Sequence, residues 1–290
     1  MKIAVLGPVT KDFITIDGKL SVQIGGIPYY VALALKNLGT ETIVPFVTAG
    51  REDRGWVSEN FGGLAVRQID VEKTLESMIE YSSSNPDMRK SFIHCYPNTI
   101  EPAAKLLEEL EGFDHIIFGP LFHDNTPFEL FNKLKHKNLT YGNFGLFTYG
   151  EAGKFVKKNP ENLIRVLPFL KYLFLDRGEA EFVSGQVGVK EPGNFFLSQG
   201  LANMIITEGS KGSHLFIGAD YFKIPAFTPM RLVDTTGAGD TYLAAFIRAT
   251  ELFMEPEQQG RFAAMVATMS LEKGGAFDSN LTTVLNRLKE

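Results

Sequence analysis

Short apolar runs alternate with segments of helical periodicity along most of the chain. Runs typical of buried strands cover 2–6, 42–47, 115–118, 172–175 and 203–207. Helical patterns lie between several of them, for example over 31–38, 102–110 and 127–134. Buried strands that alternate with helices are typical of a mostly parallel sheet covered on both faces. The pattern therefore predicts an α/β fold, in which ligands bind at the carboxyl ends of the strands.

Two segments interrupt this alternation. Segment 13–24 has two β-rich arms around Asp17-Gly18, a hairpin signal, where a helix would be expected after the first strand. Segment 66–96 contains two strand-like runs, 77–81 and 91–96, separated by a polar turn at 82–90. Small sheets inserted between βα units serve either as lids over a site or as ordinary edge hairpins. The pattern alone leaves both interpretations open.

Composition places the chain among globular proteins. Its 290 residues are 44% hydrophobic and 22% charged, which excludes a disordered chain, a collagen-like chain and a disulfide scaffold. The net charge of -5 argues against a nucleic-acid partner. Cys95 is the single cysteine and is interpreted as a small, partly buried side chain in a strand. Neither a secretory signal nor a membrane span is evident, so we expect a cytoplasmic protein without membrane contact.

The sharpest chemical feature is the segment 234–240, with the sequence DTTGAGD, which precedes a helical pattern. Gly237 and Gly239 lack a Cβ, so the backbone N–H groups can turn toward an anion at the positive end of the helix. Asp240 lies in the first turn, where a carboxylate can take a proton from a substrate hydroxyl. This combination fits phosphoryl transfer. The structural alternative is a glycine-rich helix start in which Asp240 stabilises the helix dipole.

The sequence resembles the ribokinase-like (PfkB) carbohydrate kinase family over nearly its whole length. Segment 234–240 matches the DTxGAGD signature of that family at every specified position. Other landmarks follow in the family's order: Asp12 after the first strand, the di-glycine Gly25-Gly26, the NxxE motif as Asp176 to Glu179, the TxGxxG loop with Thr207, Gly209 and Gly212, and the GAxxS stretch with Gly275, Ala276 and Ser279.

The resemblance implies a fold, a subunit arrangement and an activity. The fold is a ribokinase-like three-layer sandwich, with residues 1–290 in one domain, a small β lid from 13–24 and 66–96, and a homodimer built through the lid. The activity is transfer of the γ-phosphoryl group of ATP, with Mg²⁺ and in some members K⁺, to a hydroxyl of a small carbohydrate or polyol. A nucleoside kinase, or a sugar- or nucleotide-binding regulator without turnover, remains as an alternative.

The resemblance also implies roles for individual residues. Asp240 is the expected base, and the anion hole is formed by Gly237, Ala238 and Gly239. The expected acceptor contacts come from Asp12, Gly25, Gly26 and Tyr30. The expected nucleotide contacts come from Asp176, Thr207, Gly209 and Gly212. Mg²⁺ is expected near Glu179 through water, and K⁺ near Asp234 and Ser279.

Several of these residues also have ordinary structural interpretations. Asp12 fits an exposed turn, Asp176 with Glu179 fits a capping box, and Gly209 with Gly212 fits a tight hairpin turn. His123-Asp124 is interpreted as a surface loop. The chain also departs from the family in two places. Tyr30 stands where the family has a sugar-binding Asn, and 262–265 lacks the Asn expected beside adenine.

Overall fold

The structure, a computed structural model, describes residues 1–82, 85–94, 98–142 and 145–289, without the side chains of 81, 82 and 85–91. Cys95 and the end of segment 91–96 therefore lie outside the described residues. The strands are β1 (Lys2–Pro8), β2 (Thr10–Ile16), β3 (Lys19–Gly25), β4 (Thr42–Gly50), β5 (Arg67–Val71), β6 (Leu75–Ser82), β7 (Asn85–His94), β8 (His115–Phe118), β9 (Asn138–Gly142), β10 (Thr148–Glu151), β11 (Lys154–Lys157), β12 (Tyr172–Asp176), β13 (Asn203–Thr207), β14 (Ser213–Ile217) and β15 (Asp220–Ile224). The helices are α1 (Ile27–Asn37), α2 (Arg54–Asn60), α3 (Ala104–Glu111), α4 (Phe128–Leu134), α5 (Glu161–Val166), α6 (Arg177–Ser184), α7 (Lys190–Ser198), α8 (Ala238–Leu252), α9 (Pro256–Ser270) and α10 (Leu281–Arg287).

The central sheet has nine strands in the order β15-β14-β13-β12-β9-β8-β1-β4-β5. It is parallel from β13 to β5, and β14 and β15 are antiparallel. Side chains alternate across β1: Ile3 and Val5 join one hydrophobic cluster, and Ala4 and Leu6 join another. The first cluster includes α1, α8 and α9, and the second includes α4, α5 and α7. Because apolar layers cover both faces, the predicted three-layer α/β sandwich is confirmed.

The second sheet has four strands in the order β3-β2-β6-β7, and we call it the small sheet. The predicted hairpin is present, because β2 and β3 pair antiparallel around Asp17 and Gly18. Both turn residues have positive φ, 48° and 78°, as a tight two-residue hairpin requires. β6 then pairs parallel with β2, and β7 pairs antiparallel with β6.

The prediction for segment 66–96 needs two corrections. β5 pairs with β4 at the edge of the central sheet, so its residues do not belong to the small sheet. Ile69 on β5 packs against the second hydrophobic cluster, which explains this placement. The polar segment 82–90 is mostly strand rather than turn, since β7 begins at Asn85. β7 is an edge strand, and such strands form with little apolar sequence.

Helix α8, which carries the DTTGAGD segment at its start, is anchored to the sheet by aromatic packing. Phe246 is fully buried, and its ring packs edge-on against Tyr172 and Phe174 of β12, with centroids 5.7 and 5.6 Å away. These contacts fix the helix over the strand that ends at Asp176.

We expect Phe246→Ala to lower the free energy of unfolding by about 3–5 kcal/mol, because it removes a buried ring and leaves a cavity. Denaturant titration measures the change. Met254→Ala is the control, since Met254 is 91% exposed and its loss should cost less than about 0.5 kcal/mol. Equal effects of the two substitutions would contradict this account of how α8 is held.

Candidate active site

The start of α8 adopts a conformation that only glycine fits at Gly237. Its φ is +72°, and a Cβ there would lie 2.4 Å from Cδ1 of Tyr30. Before it, the N–H of Thr236 donates to Oδ1 of Asp234 at 2.9 Å, which closes a local turn. Among the described residues, the N–H groups of Gly237, Gly239 and Asp240 have no hydrogen-bond partner. These unpaired donors at a helix N-terminus form an anion site.

Asp240 lies in the first turn of α8 and reaches the solvent only partly. The surrounding protein removes water from its carboxyl group, and this burial raises the pKa of Asp240 to about 7. We find no hydrogen bond to that carboxyl group in the part of the chain that the structure describes. A carboxyl group with this pKa accepts a proton readily near neutral pH.

A cavity of about 260 Å³ lies on one side of the α8 start, and we call it the donor cavity. It is lined by Phe174, Leu175, Asp176, Glu179, Thr207, Thr235, Gly237, Ala238, Gly239, Asp240 and Leu243. The cavity lies at the carboxyl ends of β12 and β13, where ligands bind in parallel sheets. It joins the expected anion hole to three of the residues expected near the nucleotide and Mg²⁺.

Asp176 and Glu179 form the capping box at the start of α6. Oδ1 of Asp176 accepts from the N–H of Glu179 at 2.7 Å, and Oε2 of Glu179 accepts from the N–H of Asp176 at 2.8 Å. Glu179 is buried, and burial together with the charge of Asp176 raises its pKa to about 7. The structural interpretation from the sequence is therefore correct, and both residues also line the donor cavity.

The donor cavity fits Mg²⁺ held through water rather than a cage of protein ligands. In the described ranges no cluster of three or more His, Cys, Asp or Glu side chains is arranged to hold a metal. Glu179 has a second carboxylate oxygen, and Asp176 and Asp240 line the same cavity. Mg²⁺ is commonly bound by one or two carboxylates, waters and substrate phosphates, which this arrangement allows.

A second cavity of about 180 Å³ lies between the small sheet and the α8 start, and we call it the acceptor cavity. It is lined by Thr10, Asp12, Gly26, Ile27, Tyr30, Ser77, Ile79, Phe92, Ile93, Leu121, Gly153, Phe155, Thr236, Gly237 and Asp240. Gly237 and Asp240 line both cavities. The two cavities thus meet at the anion site and its neighbouring carboxylate.

Asp12 is held inside the acceptor cavity by its neighbours. It is buried rather than in an exposed turn, and Oγ of Ser77 donates to its Oδ1 at 2.5 Å. Burial raises the pKa of Asp12, and hydrogen bonds from Ser77 and Thr10 oppose that rise. A Cβ at Gly25 would lie 2.1 Å from Oδ2 of Asp12, so glycine leaves the space that this carboxylate occupies.

Tyr30 contributes a ring to the acceptor cavity and a support to the α8 start. Its pKa is raised by burial first and then by the charges of Asp12 and Asp240, so the hydroxyl remains a donor. Tyr29 instead packs edge-on against Phe61, with ring centroids 5.8 Å apart, and does not line either cavity. Gly26 has φ of +96° and lies close to the carbonyl oxygen of Pro8 at the start of α1.

Other expected residues are not brought to the cavities. Gly209 and Gly212 form the turn between β13 and β14, and a Cβ at Gly212 would lie 2.0 Å from the carbonyl oxygen of Ile224. Their structural interpretation therefore accounts for the glycines. Asp234 contacts Leu271 through its backbone N–H, whereas no described contact joins it to Ser279. The nucleotide and K⁺ roles remain predictions.

Sequence reasoning missed several residues that line the acceptor cavity. Ser77 and Thr10 hold Asp12, and their positions opposite it become visible only once β2 and β6 are paired. Phe155 and Gly153 belong to the β10–β11 hairpin, which was not predicted. The dipeptide Ala152-Gly153 between two β-rich arms is the signal that marks this hairpin.

Comparison with known proteins agrees with this geometry. Residues 130–283, more than half of the chain, match the model of the pfkB family carbohydrate kinases. The chain belongs to this family.

Its relatives differ in what they are named for. A nucleoside kinase of Methanocaldococcus jannaschii is 29% identical over 163 residues, which cover 54% of this chain and 51% of the relative. A ribokinase of Bacillus subtilis is 43% identical over 75 residues, 26% of this chain and 25% of the relative. The chain thus spans about half or less of the length of these relatives.

Solved structures of the family share the whole fold at low identity. A pyrophosphate-dependent kinase of the ribokinase family has a TM-score of 0.83 and 23% identity, covering 98% of this chain and 99% of that chain. Arabidopsis thaliana ribokinase complexed with ribose and ATP has a TM-score of 0.80 and 19% identity, covering 100% and 99%. No helix in the described ranges is long and apolar enough to cross a membrane.

We expect Gly237→Ala to lower kcat by about 10²- to 10³-fold, the usual effect of losing one anion-hole donor. The new methyl group meets the Tyr30 ring and turns the unpaired N–H groups away. Steady-state kinetics with a circular dichroism check of folding measures this. Gly185→Ala is the matched control, because Gly185 has φ of +67° with open space around it. Both variants should lose about 1–2 kcal/mol of stability, and equal kcat losses would contradict the assignment.

Proposed function

We propose that this protein is an ATP-dependent kinase that phosphorylates a hydroxyl group of a small carbohydrate or polyol. The observation that carries the proposal is the meeting of the donor and acceptor cavities at Gly237 and Asp240. Phosphoryl transfer needs two substrates aligned on one anion site with one base beside it. The family membership supports the same reaction class.

Each step of the transfer has a residue suited to it. Asp240 takes the proton of the acceptor hydroxyl as that oxygen bonds to the γ-phosphorus, while the bond between the γ-phosphorus and the bridging oxygen of ADP breaks. The unpaired N–H groups of Gly237 and Gly239 hold the negative charge of the transferring group. Asp12, fixed by Ser77, accepts hydrogen bonds from other hydroxyls and orients the acceptor.

The donor side is proposed for ATP with Mg²⁺, which would neutralise phosphate charge near Glu179. Asp176, Thr207 and the turn with Gly209 and Gly212 would face the nucleotide. Pyrophosphate is the competing donor, since one structurally similar kinase uses it. A K⁺ ion near Asp234 and Ser279 remains part of the proposal, and activity in K⁺ compared with Na⁺ tests it.

The charge of the acceptor cavity favours a neutral acceptor. Among the described residues that line it, there is no Lys or Arg, while Asp12 and Asp240 are both present. Lys11 lies next to Asp12 in sequence, but its Nζ pairs with Asp53 at 2.6 Å. A sugar phosphate would meet two carboxylates without a compensating cation. We therefore propose an uncharged acceptor.

We expect Asp240→Asn to lower kcat by about 10²- to 10⁴-fold, because the amide keeps the size of the side chain but cannot accept the proton. Substrate affinity should change little. A coupled assay of ADP release with a panel of neutral acceptors measures both parameters. Asp70→Asn is the control, since Asp70 pairs with Arg54 at the surface.

The pH profile gives a second reading of the same variant. Because the pKa of Asp240 is raised to about 7, the base is protonated below that pH, and kcat/KM should fall as pH falls through 7. In Asp240→Asn this dependence should become shallower, with Glu179 as the remaining group of similar pKa. Wild-type turnover in Asp240→Asn would remove Asp240 from the mechanism.

We also propose that the small sheet is a lid and that a second copy of the chain packs on its outer face. The inner face of the sheet borders the acceptor cavity, so closure there would exclude water as a competing acceptor. The outer face exposes Leu20, Val22 and Met78, which are 63%, 48% and 43% accessible. Exposed apolar groups on one face are typical of an interaction surface.

We expect Leu20→Lys to weaken the homodimer by at least about tenfold in Kd, because it places a charge in an apolar contact. Light scattering across a concentration series measures the mass. Val187→Lys is the control, as Val187 is 77% exposed on a helix-connecting segment far along the chain from the small sheet. A wild-type protein that stays monomeric at all concentrations would disprove the proposed dimer.

A further inference from the structure

The acceptor cavity is polar at one end and apolar at the other. Asp12 of β2 lies opposite Ser77 of β6, and Ser77 lies opposite Ile93 of β7. The N–H of Ile93 donates to the carbonyl oxygen of Gly153 at 2.8 Å. These four residues form one row across the small sheet and onto the β10–β11 hairpin. With about 4.8 Å per strand step, the row is roughly 14 Å long.

The β10–β11 hairpin closes the apolar end. The ring of Phe92 lies against Gly153 so closely that a Cβ there would be 1.8 Å from Cε2 of Phe92. Phe155 stacks on Phe122 with ring centroids 5.3 Å apart and planes inclined by 13°. The hairpin is therefore docked on β7, with Phe155 supported from behind and its ring directed to the cavity.

The aromatic rings at this end are large and incompletely covered. Phe92 and Phe155 are 40% and 41% exposed, although both line a cavity. Ile79, Ile93 and Leu121 complete the same wall. All of the carboxylate and hydroxyl side chains in the cavity belong to the other residues, Thr10, Asp12, Tyr30, Ser77, Thr236 and Asp240. An unoccupied apolar surface of this kind gains most from an apolar or aromatic group on the ligand.

We infer that the acceptor is a glycoside, a sugar that carries an apolar or aromatic group, with nucleosides as the best-fitting class. The sugar hydroxyls lie at Asp12 and Asp240, and the attached group lies on Phe155, Phe92 and Ile79. This inference rests on the proposed kinase function, and it assigns a second subsite to the acceptor cavity. Its chemistry comes from the segregation of polar and apolar walls.

A free polyol fits this cavity less well. A pentose or an inositol has hydroxyl groups around the whole ring, so those directed away from Asp12 would lose water without gaining partners. A flat aglycone at the same place stacks on Phe155 and displaces water from both aromatic rings. Stacking of one base on an aromatic side chain is worth about 5- to 150-fold in affinity, from roughly 1–3 kcal/mol.

The experiment compares acceptors that differ only in the attached group. Free ribose, methyl β-riboside, uridine, inosine and adenosine are offered with ATP and Mg²⁺ to the wild type, Phe155→Ala and Phe128→Ala. Phe128 is the control because it is 36% exposed and does not line the acceptor cavity. Calorimetric binding of the same acceptors without ATP gives a readout that does not require turnover.

We expect kcat/KM for the nucleosides to exceed that for ribose by at least about tenfold in the wild type. Phe155→Ala should raise the nucleoside KM about 5- to 100-fold while the values for ribose and methyl riboside stay within about twofold. Phe128→Ala should leave all values unchanged. A preference for ribose, or equal losses for ribose and nucleosides in Phe155→Ala, would overturn the aglycone subsite.

Failure of the subsite and failure of the kinase function give different results. If ribose is phosphorylated well and nucleosides neither react nor bind, the kinase proposal stands and the subsite does not. If inosine or adenosine binds in calorimetry and loses affinity in Phe155→Ala but no acceptor is phosphorylated, the subsite stands and the kinase proposal fails.

Discussion

Gly237 holds the left-handed conformation that begins α8 because no Cβ stands between it and the Tyr30 ring. That contact joins the two substrate cavities. Tyr30 belongs to α1, the helix that follows Gly25-Gly26 and therefore the small sheet, whereas Gly237 opens the anion site. The distance between acceptor and donor is thus set by one ring packed on one glycine. Because packed interiors yield little, a change on either side of the contact is transmitted to the other.

Much of the framework was predictable because the central strands are buried on both faces. Continuous apolar runs such as 115–118 and 203–207 match β8 and β13 at both ends, and the Asp17-Gly18 turn identified the first hairpin. The chemistry of 234–240 was also legible, since it depends on neighbours in sequence. Polar edge strands were not, as the misread 82–90 and the misplaced β5 show. Their pairing is decided by partners far along the chain, which local pattern does not contain.

The apolar end of the acceptor cavity illustrates that limit. Phe92 and Phe155 are separated by more than sixty residues, and neither lies in a recognisable motif. They come together because the N–H of Ile93 bonds to Gly153, a contact between two hairpins. By contrast, Asp176 and Glu179 are three residues apart, and the sequence allowed either a capping box or a site role. The structure shows that one pair of carboxylates performs the cap and still lines the donor cavity.

The two buried carboxylates impose an energetic cost that follows from their placement. Asp240 and Glu179 each have a pKa raised to about 7, so the folded state binds more protons than the unfolded chain between about pH 4 and 7. Their ionisation therefore destabilises the fold, and the penalty is fully present above pH 7 and vanishes below the unfolded pKa. A pKa shift of this size corresponds to about 1–4 kcal/mol for each group. The anion site and the hydrophobic anchoring of α8 must offset that penalty at the pH where Asp240 is ionised and ready to accept a proton. Filling the donor cavity with a cation would relieve the same repulsion, so the charge arrangement that weakens the empty protein is the one that favours a metal-bound phosphate.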